Sequence, residues 1–164
     1  MPDTVAEARR ERTLADFTNA SLVLPRLRGE DAATVIKELS QALQHDGRVP
    51  DFLLFYQAAL NREFLVNTGT ESGLAVPHAR LTGVKELCFA FGRSDQPMAW
   101  GTRPGRMIRL VFLLAVPATD TTQYLRLISS LGRLAGERQY AEPLYTAHDS
   151  LEILEVLQQV RVTG

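Results

Sequence analysis

Apolar and polar positions follow two rhythms along this chain, and each change of rhythm marks an element. Residues 20–24 (ASLVL) form a short apolar run closed by Pro25, which predicts a strand. Beyond Asp31 the apolar residues fall at Val35, Ile36, Leu39, Ala42 and Leu43. Spacings of one, three and four predict a helix capped by Asp31 and ended at Gly47. Pro50-Asp51 opens a second helical pattern, with Phe52, Phe55, Tyr56, Ala59 and Leu60 as its buried face and Asn61-Arg62 at its end. Residues 67–73 (NTGTESG) read as a loop, and the apolar run 74–76 that follows is stopped by Pro77. Residues 86–92 (ELCFAFG) predict a strand. Residues 107–116 (MIRLVFLLAV) predict the strongest one, apolar enough to need cover on both faces. The remainder is helical. Residues 121–134 carry Leu125, Ile128, Leu131 and Leu134, residues 139–148 form a shorter segment, and residues 150–160 begin with a Ser150 cap and place Leu151, Leu154 and Leu157 three apart. Helices precede, separate and follow the strands. The expected class is therefore α/β, a small mixed β-sheet covered by helices on both faces.

Composition narrows the picture. The 164 residues fit one domain, read as residues 18–164 after an N-terminal tail or short helix at 1–17. Eighteen basic residues against nineteen acidic ones give a net charge of −1, so no basic field draws in nucleic acid or anionic lipid. A single cysteine, Cys88, excludes an internal disulfide and any multi-cysteine metal site, and its place in an apolar strand reads as a small buried hydrophobe. The longest apolar run is too short to cross a bilayer, and the first thirteen residues are charged without an apolar stretch. A cytoplasmic protein without membrane insertion is expected.

The candidate chemistry centres on histidine. His45 and His148 each end a helical pattern beside an acid, Asp46 and Asp149, where an imidazole suits a helix C-terminus. His78 is placed differently: it follows an apolar run and Pro77, beyond a glycine-containing loop, with Arg80 two residues on. Reactive groups concentrate on loops held by rigid elements. A neutral imidazole is a nucleophile near pH 7, and a neighbouring guanidinium neutralises phosphoryl oxygens. On the residues alone a structural histidine bonded to main chain is an equal reading. Asp95 and Asp120 read as solvated loop acids, and Arg103, Arg106 and Arg109 as a solvated loop or edge. No phosphate-cradling glycine motif, nucleophile elbow or metal-ligand spacing is present, so neither metal nor cofactor is expected.

The stretch NREFLVNTGTESGLAVPHAR resembles the signature of enzyme IIA of the fructose/mannitol and nitrogen-regulatory class, the phosphoryl carriers of the bacterial phosphotransferase system. Arg62-Glu63, Thr68-Gly69, Gly73 and Ala75-Val76-Pro77-His78-Ala79-Arg80 carry the match. Gln96 to Trp100 is similar to a family turn and LVFLLAVP to its central strand. The similarity extends over about residues 18–160. It implies that His78 accepts a phosphoryl group from HPr or its nitrogen-branch paralogue. The group is then passed to a IIB domain in sugar uptake or held as a regulatory signal toward a transporter or sensor kinase. It also implies that Arg62 faces the phosphoryl oxygens and that the loop of Asn67, Thr68 and Gly69 adds amide donors. With no IIB domain or transporter segment read in these 164 residues, the regulatory branch is the one expected. Two departures stand out. Tyr124 occupies the position of the family's second histidine, and a phenol of ordinary pKa about 10 carries no positive charge near neutrality. Glu71 adds negative charge beside the loop. Both favour an alternative, a IIA-like binding module acting by protein contact, which the retained Arg62 and His78 oppose.

Overall fold

The apolar stretch in the middle of the chain is the spine of the molecule. The computed structural model describes residues 11–101 and 105–162. Its elements run β1 (Val23–Leu24), α1 (Ala32–His45), α2 (Phe52–Leu65), β2 (Leu74–Ala75), β3 (His78–Leu81), β4 (Cys88–Ala99), β5 (Met107–Pro117), α3 (Gln123–Gly136), α4 (Arg138–Thr146) and α5 (Ser150–Leu157). β5 pairs antiparallel with β4, and β1 lies parallel on the outer edge of β4. On its other side β5 takes two short parallel partners in succession, β2 with Leu74 opposite Leu110 and β3 with His78 opposite Leu114. Pro77 separates the two because it has no N–H to donate to the ladder.

Both faces of this mixed sheet are covered. Phe89, Phe91, Leu110, Phe112, Leu114 and Val116 pack against Leu127, Leu131 and Leu134 of α3, Leu144 of α4, and Ile153 and Leu157 of α5. The Phe112 ring meets Phe91 at 4.8 Å and Phe89 at 5.4 Å between centroids. The opposite face presents smaller residues, Ala75, Ala79, Cys88, Ala90 and Ala115, to α1 and α2. Small side chains let the two helices lie close, and Val35, Ile36, Leu39, Leu43, Phe55 and Ala59 fill the layer. Each large apolar side chain buried here contributes roughly 1.5–3 kcal/mol. Cys88 is fully buried in this layer, and burial pushes its thiol up to about 11.

Helix starts follow the sequence signals: Asp31 accepts from Thr34 N at 2.9 Å, and Asp51 accepts from Leu53 N and Leu54 N. Several expectations are corrected. Only Val23–Leu24 of residues 20–24 is strand, because the Asn19 side chain accepts from Ser21 N and starts a 3-10 turn, Ala20–Leu22. The strand anticipated at 86–92 runs on to Ala99, carried by its hairpin with β5 through a register shift between Arg93 and Met98. Leu14 and Phe17 are buried in a 3-10 turn, so the packed chain begins ahead of residue 18; residues 1–10 lie outside the described residues. Leu125 and Leu151 are 53% and 65% exposed. A strict three-residue spacing drifts around a helix of 3.6 residues per turn, and the buried stripes are instead Leu127, Leu131 and Leu134, and Ile153, Val156 and Leu157. The cap of α5 is Asp149, not Ser150, whose hydroxyl donates to the Val23 carbonyl. His45 does end α1, but His148 precedes α5, where Glu152 accepts from its main-chain N at 2.7 Å.

One buried cation ties three segments together. Arg93, 7% exposed, donates from Nε to the Pro25 carbonyl and from Nη1 to the carbonyls of Leu144 and Ala147 at 2.8 and 2.7 Å. The guanidinium thus serves carbonyls at the C-terminal end of α4, where positive charge is favoured. Replacing Arg93 with Met should lower stability by about 2–4 kcal/mol, since it strands those buried acceptors. Arg93→Lys should recover only part of this, because one ammonium cannot span the fork. Urea unfolding midpoints check it; an unchanged midpoint for Arg93→Met would show that the carbonyls find other donors.

Candidate functional site

Three elements converge on His78. The last turn of α2 brings Arg62, the start of β3 brings His78 and Arg80, and the first turn of α3 brings Tyr124. With Ala58, Ala79 and Val116 they line a half-open cavity of about 360 Å³. A larger cleft of about 550 Å³ lies between Arg48, Lys85 and Asp120, but it mixes acids with bases and contains no imidazole. No carboxylate lines the His78 cavity, and among the described residues none pairs with Arg62. The cavity therefore suits an anion.

His78 opens strand β3 rather than ending the apolar run before it. Its Nδ1 lies 3.2 Å from the Val76 carbonyl oxygen. A carbonyl only accepts, so this hydrogen bond needs the proton on Nδ1 and leaves the lone pair on Nε2. The Val76 segment is itself fixed. Val76 N donates to Thr68 Oγ1 at 2.9 Å, and that hydroxyl donates to both oxygens of Glu63 at 2.9 and 3.0 Å. Glu63 Oε1 also accepts from Thr68 N and from Trp100 Nε1, each at 2.7 Å. The carboxylate is 5% exposed and Trp100 fully buried. Consecutive helical residues point about 100° apart. The same turn of α2 therefore sends Glu63 inward to this hub and Arg62 outward to the cavity.

The loop 67–69 has a different place from the one anticipated. Neither Asn67, Thr68 nor Gly69 lines the cavity. The Thr68 amide is spent on Glu63, and the Gly69 amide on Asn67 Oδ1 at 2.7 Å, while Asn67 Nδ2 donates to the Trp100 carbonyl. These donors build the scaffold behind the site. Gly69 is required there because a Cβ would come within 2.9 Å of Trp100 Cδ1. Glu71 points away, 86% exposed at its side chain and paired with Arg106 at 3.0 Å, so its charge does not face the cavity. Arg109 lies over the Tyr145 ring at 4.9 Å and donates to the Ser94 carbonyl, so neither it nor Arg106 is a simple solvated edge; Arg103 lies outside the described residues. Asp120 is likewise more than a solvated acid, since its carboxylate accepts from Gln123 N and Tyr124 N and starts α3. The Tyr124 ring lies 6.5 Å from His78. The hub of Glu63 and Trp100 is not read from the sequence, where Arg80 is noted only as a guanidinium close to His78. A single tryptophan and an acid in a helix's last turn carry no local sign that they meet.

The fold defines a mixed five-stranded sheet with helices on both faces, of the kind found in mannitol and nitrogen-regulatory enzyme IIA proteins. Nitrogen regulatory protein IIA-Ntr from Neisseria meningitidis superposes with a TM-score of 0.76 at 25% identity, over 88% of this chain and 98% of that one. The complex of enzyme IIAMtl and phosphorylated enzyme IIBMtl from Escherichia coli matches with a TM-score of 0.72 at 22% identity, over 85% and 95%. In sequence, the fructose-like EIIA component of E. coli is 29% identical over 140 residues, 85% of this chain and 94% of its own length. The fructose-specific EIIABC component of Bacillus subtilis is 28% identical over 133 residues, which are 81% of this chain but only 21% of that protein's length. Residues 16–160 match the family model described as phosphoenolpyruvate-dependent sugar phosphotransferase system, EIIA 2. The chain belongs to that family of phosphoryl carriers. Among the described residues no helix is long and apolar enough to cross a membrane, and no group of three or more metal-ligating side chains is found.

The hub gives a direct prediction. Glu63→Leu should cost about 3–5 kcal/mol, because it strands an indole N–H, an amide and a hydroxyl in the interior, and Trp100→Phe about 1.5–3 kcal/mol for the single charge-assisted bond. Denaturant unfolding measures both. Equal, small losses would mean that water reaches Glu63.

Proposed function

We propose that His78 is the phosphoryl acceptor of this chain and that Arg62 neutralises the transferred group. The observation that carries the reading is the pairing of an imidazole tied at Nδ1 to Val76 with an uncompensated guanidinium in one cavity. Phosphoryl transfer asks a protein chiefly for position and charge. In the step, the Nε2 lone pair of His78 forms a bond to phosphorus as the phosphorus–nitrogen bond of a donor phosphohistidine breaks. The donor ring leaves with the electron pair. The proton stays on Nδ1, hydrogen-bonded to the Val76 carbonyl, and the new imidazolium is offset by the phosphoryl dianion, whose oxygens Arg62 meets with its planar fork.

The donor is a small phosphohistidine carrier, HPr or its nitrogen-branch paralogue. The recipient is a IIB domain, or the phosphorylated state itself acts on a transporter or sensor kinase. A collar of exposed apolar side chains supports docking of a protein here. Phe64, Leu65 and Val66, beside Arg62, are 90%, 79% and 53% exposed, and Leu125 next to Tyr124 is 53% exposed. Tyr124 favours a second reading, a module that binds partners without onward transfer, because a phenol does not take up a proton near neutral pH.

Incubation with phosphoenolpyruvate, enzyme I and HPr, then intact-mass measurement without acid, should show the gain of one phosphoryl group. The gain should vanish in His78→Ala, with the unfolding transition unchanged. Arg62→Lys should slow the gain by about tenfold or more, the scale of one lost charge-assisted bond. No gain with either HPr or the nitrogen-branch carrier would decide for the contact-only reading.

A further inference from the structure

The transfer step uses Arg62 alone, yet Arg80, two positions after His78, is the second guanidinium of the cavity. It follows His78 by two positions on β3, and residues two apart on a strand project from the same face. Its guanidinium carbon lies 4.6 Å from the Tyr124 ring centroid. Its Nη1 donates to the Asp120 carbonyl and, at 3.5 Å, to the Pro117 carbonyl. Both acceptors are neutral, and among the described residues no carboxylate pairs with Arg80. Arg80 is thus a charge without a countercharge, held beside an imidazole by an aromatic face and two main-chain oxygens. Cation–π contacts of this kind orient a guanidinium without neutralising it.

We infer that Arg80 is a second phosphate-binding cation of the His78 site and that Tyr124 is its positioning residue. The ligand chemistry is a tetrahedral phosphate dianion, free or attached to His78; only the attached form rests on the reading of His78 as acceptor. Tyr124 supplies no charge of its own, and the charge at this end of the cavity comes from the guanidinium stacked on it. A phosphate oxygen is a stronger acceptor than the neutral carbonyls, so Arg80 exchanges part of that anchorage for the anion while the ring keeps it in reach. Arg62 from α2 and Arg80 from β3 then hold the group from two sides.

The test uses inorganic phosphate as the probe, titrated into the full chain at constant ionic strength. It is followed by the side-chain Nε–Hε resonances of Arg62 and Arg80. Both resonances should move in one saturable phase. Arg80→Gln should weaken phosphate binding by roughly tenfold, the scale of one charge-assisted hydrogen bond, with Arg80→Lys intermediate. Tyr124→Phe should bind as wild type and Tyr124→Leu more weakly. In the Arg80→Gln background Tyr124→Leu should have no further effect, which a merely structural role for the ring would not produce. Wild-type phosphate affinity in Arg80→Gln, a still Arg80 resonance, or independent effects of the two substitutions would each overturn the inference. Arg80-dependent phosphate binding in a chain that HPr does not phosphorylate would uphold it while removing the carrier reading. Full phosphorylation with wild-type phosphate affinity in Arg80→Gln would do the reverse.

Discussion

The geometry of the site hangs on one buried carboxylate. Glu63 collects the indole N–H of Trp100, the amide of Thr68 and the hydroxyl of Thr68, and no cation pairs with it among the described residues. A buried charge satisfied only by hydrogen bonds is tolerated when every donor is in place, and the penalty for losing one falls on the whole network. Through the Thr68 hydroxyl the network holds Val76, and through the Val76 carbonyl it fixes the side of the His78 ring that carries the proton. The end of α2, the loop 67–69 that follows it and the distant turn after β4 are thereby locked to the strand that presents the imidazole. The helix turn that makes the lock also presents Arg62 on its other side.

The sheet provides the rigid backing for this arrangement. β5 is buried on both faces, and its parallel pairing with β3 puts the half-buried His78 opposite the fully buried Leu114, on the sheet rather than on a free loop. The small side chains on the α1 and α2 face bring α2 close enough for Glu63 to reach Trp100. On the far face Arg93 secures the α4 end to β4. What lies around the cavity is then decided by charge. Two guanidiniums enter without carboxylate partners, while the acid that threatened the site, Glu71, is drawn outward by Arg106.

The sequence makes much of this legible. The run at 107–116 is apolar without interruption, which only a doubly covered strand explains, and the Asp31 and Asp51 caps are local signals with local causes. His78 stands out as a candidate from its place after Pro77, Arg62 becomes one through the resemblance, and the structure brings the two to one cavity. What the sequence hides is non-local. The loop amides of Thr68 and Gly69 look available until Glu63 and Asn67 are seen to take them. The stripe through Leu125 and Leu151 fails because leucine spacing alone does not fix which side of a helix meets the sheet. Arg80 and Tyr124 are forty-four positions apart, and only the turn after β5 stacks one on the other.

The central claim is that the Glu63 network holds the His78 ring with its proton on Nδ1 and Nε2 bare. The most direct measurement is a long-range proton–nitrogen NMR spectrum of the His78 ring in the full chain at mildly alkaline pH, compared with Thr68→Val. The account predicts a pyrrole-type Nδ1 and a pyridine-type Nε2 in the native chain, and a mixture of the two tautomers once the Thr68 hydroxyl is gone. A proton resident on Nε2 in the native chain would contradict it.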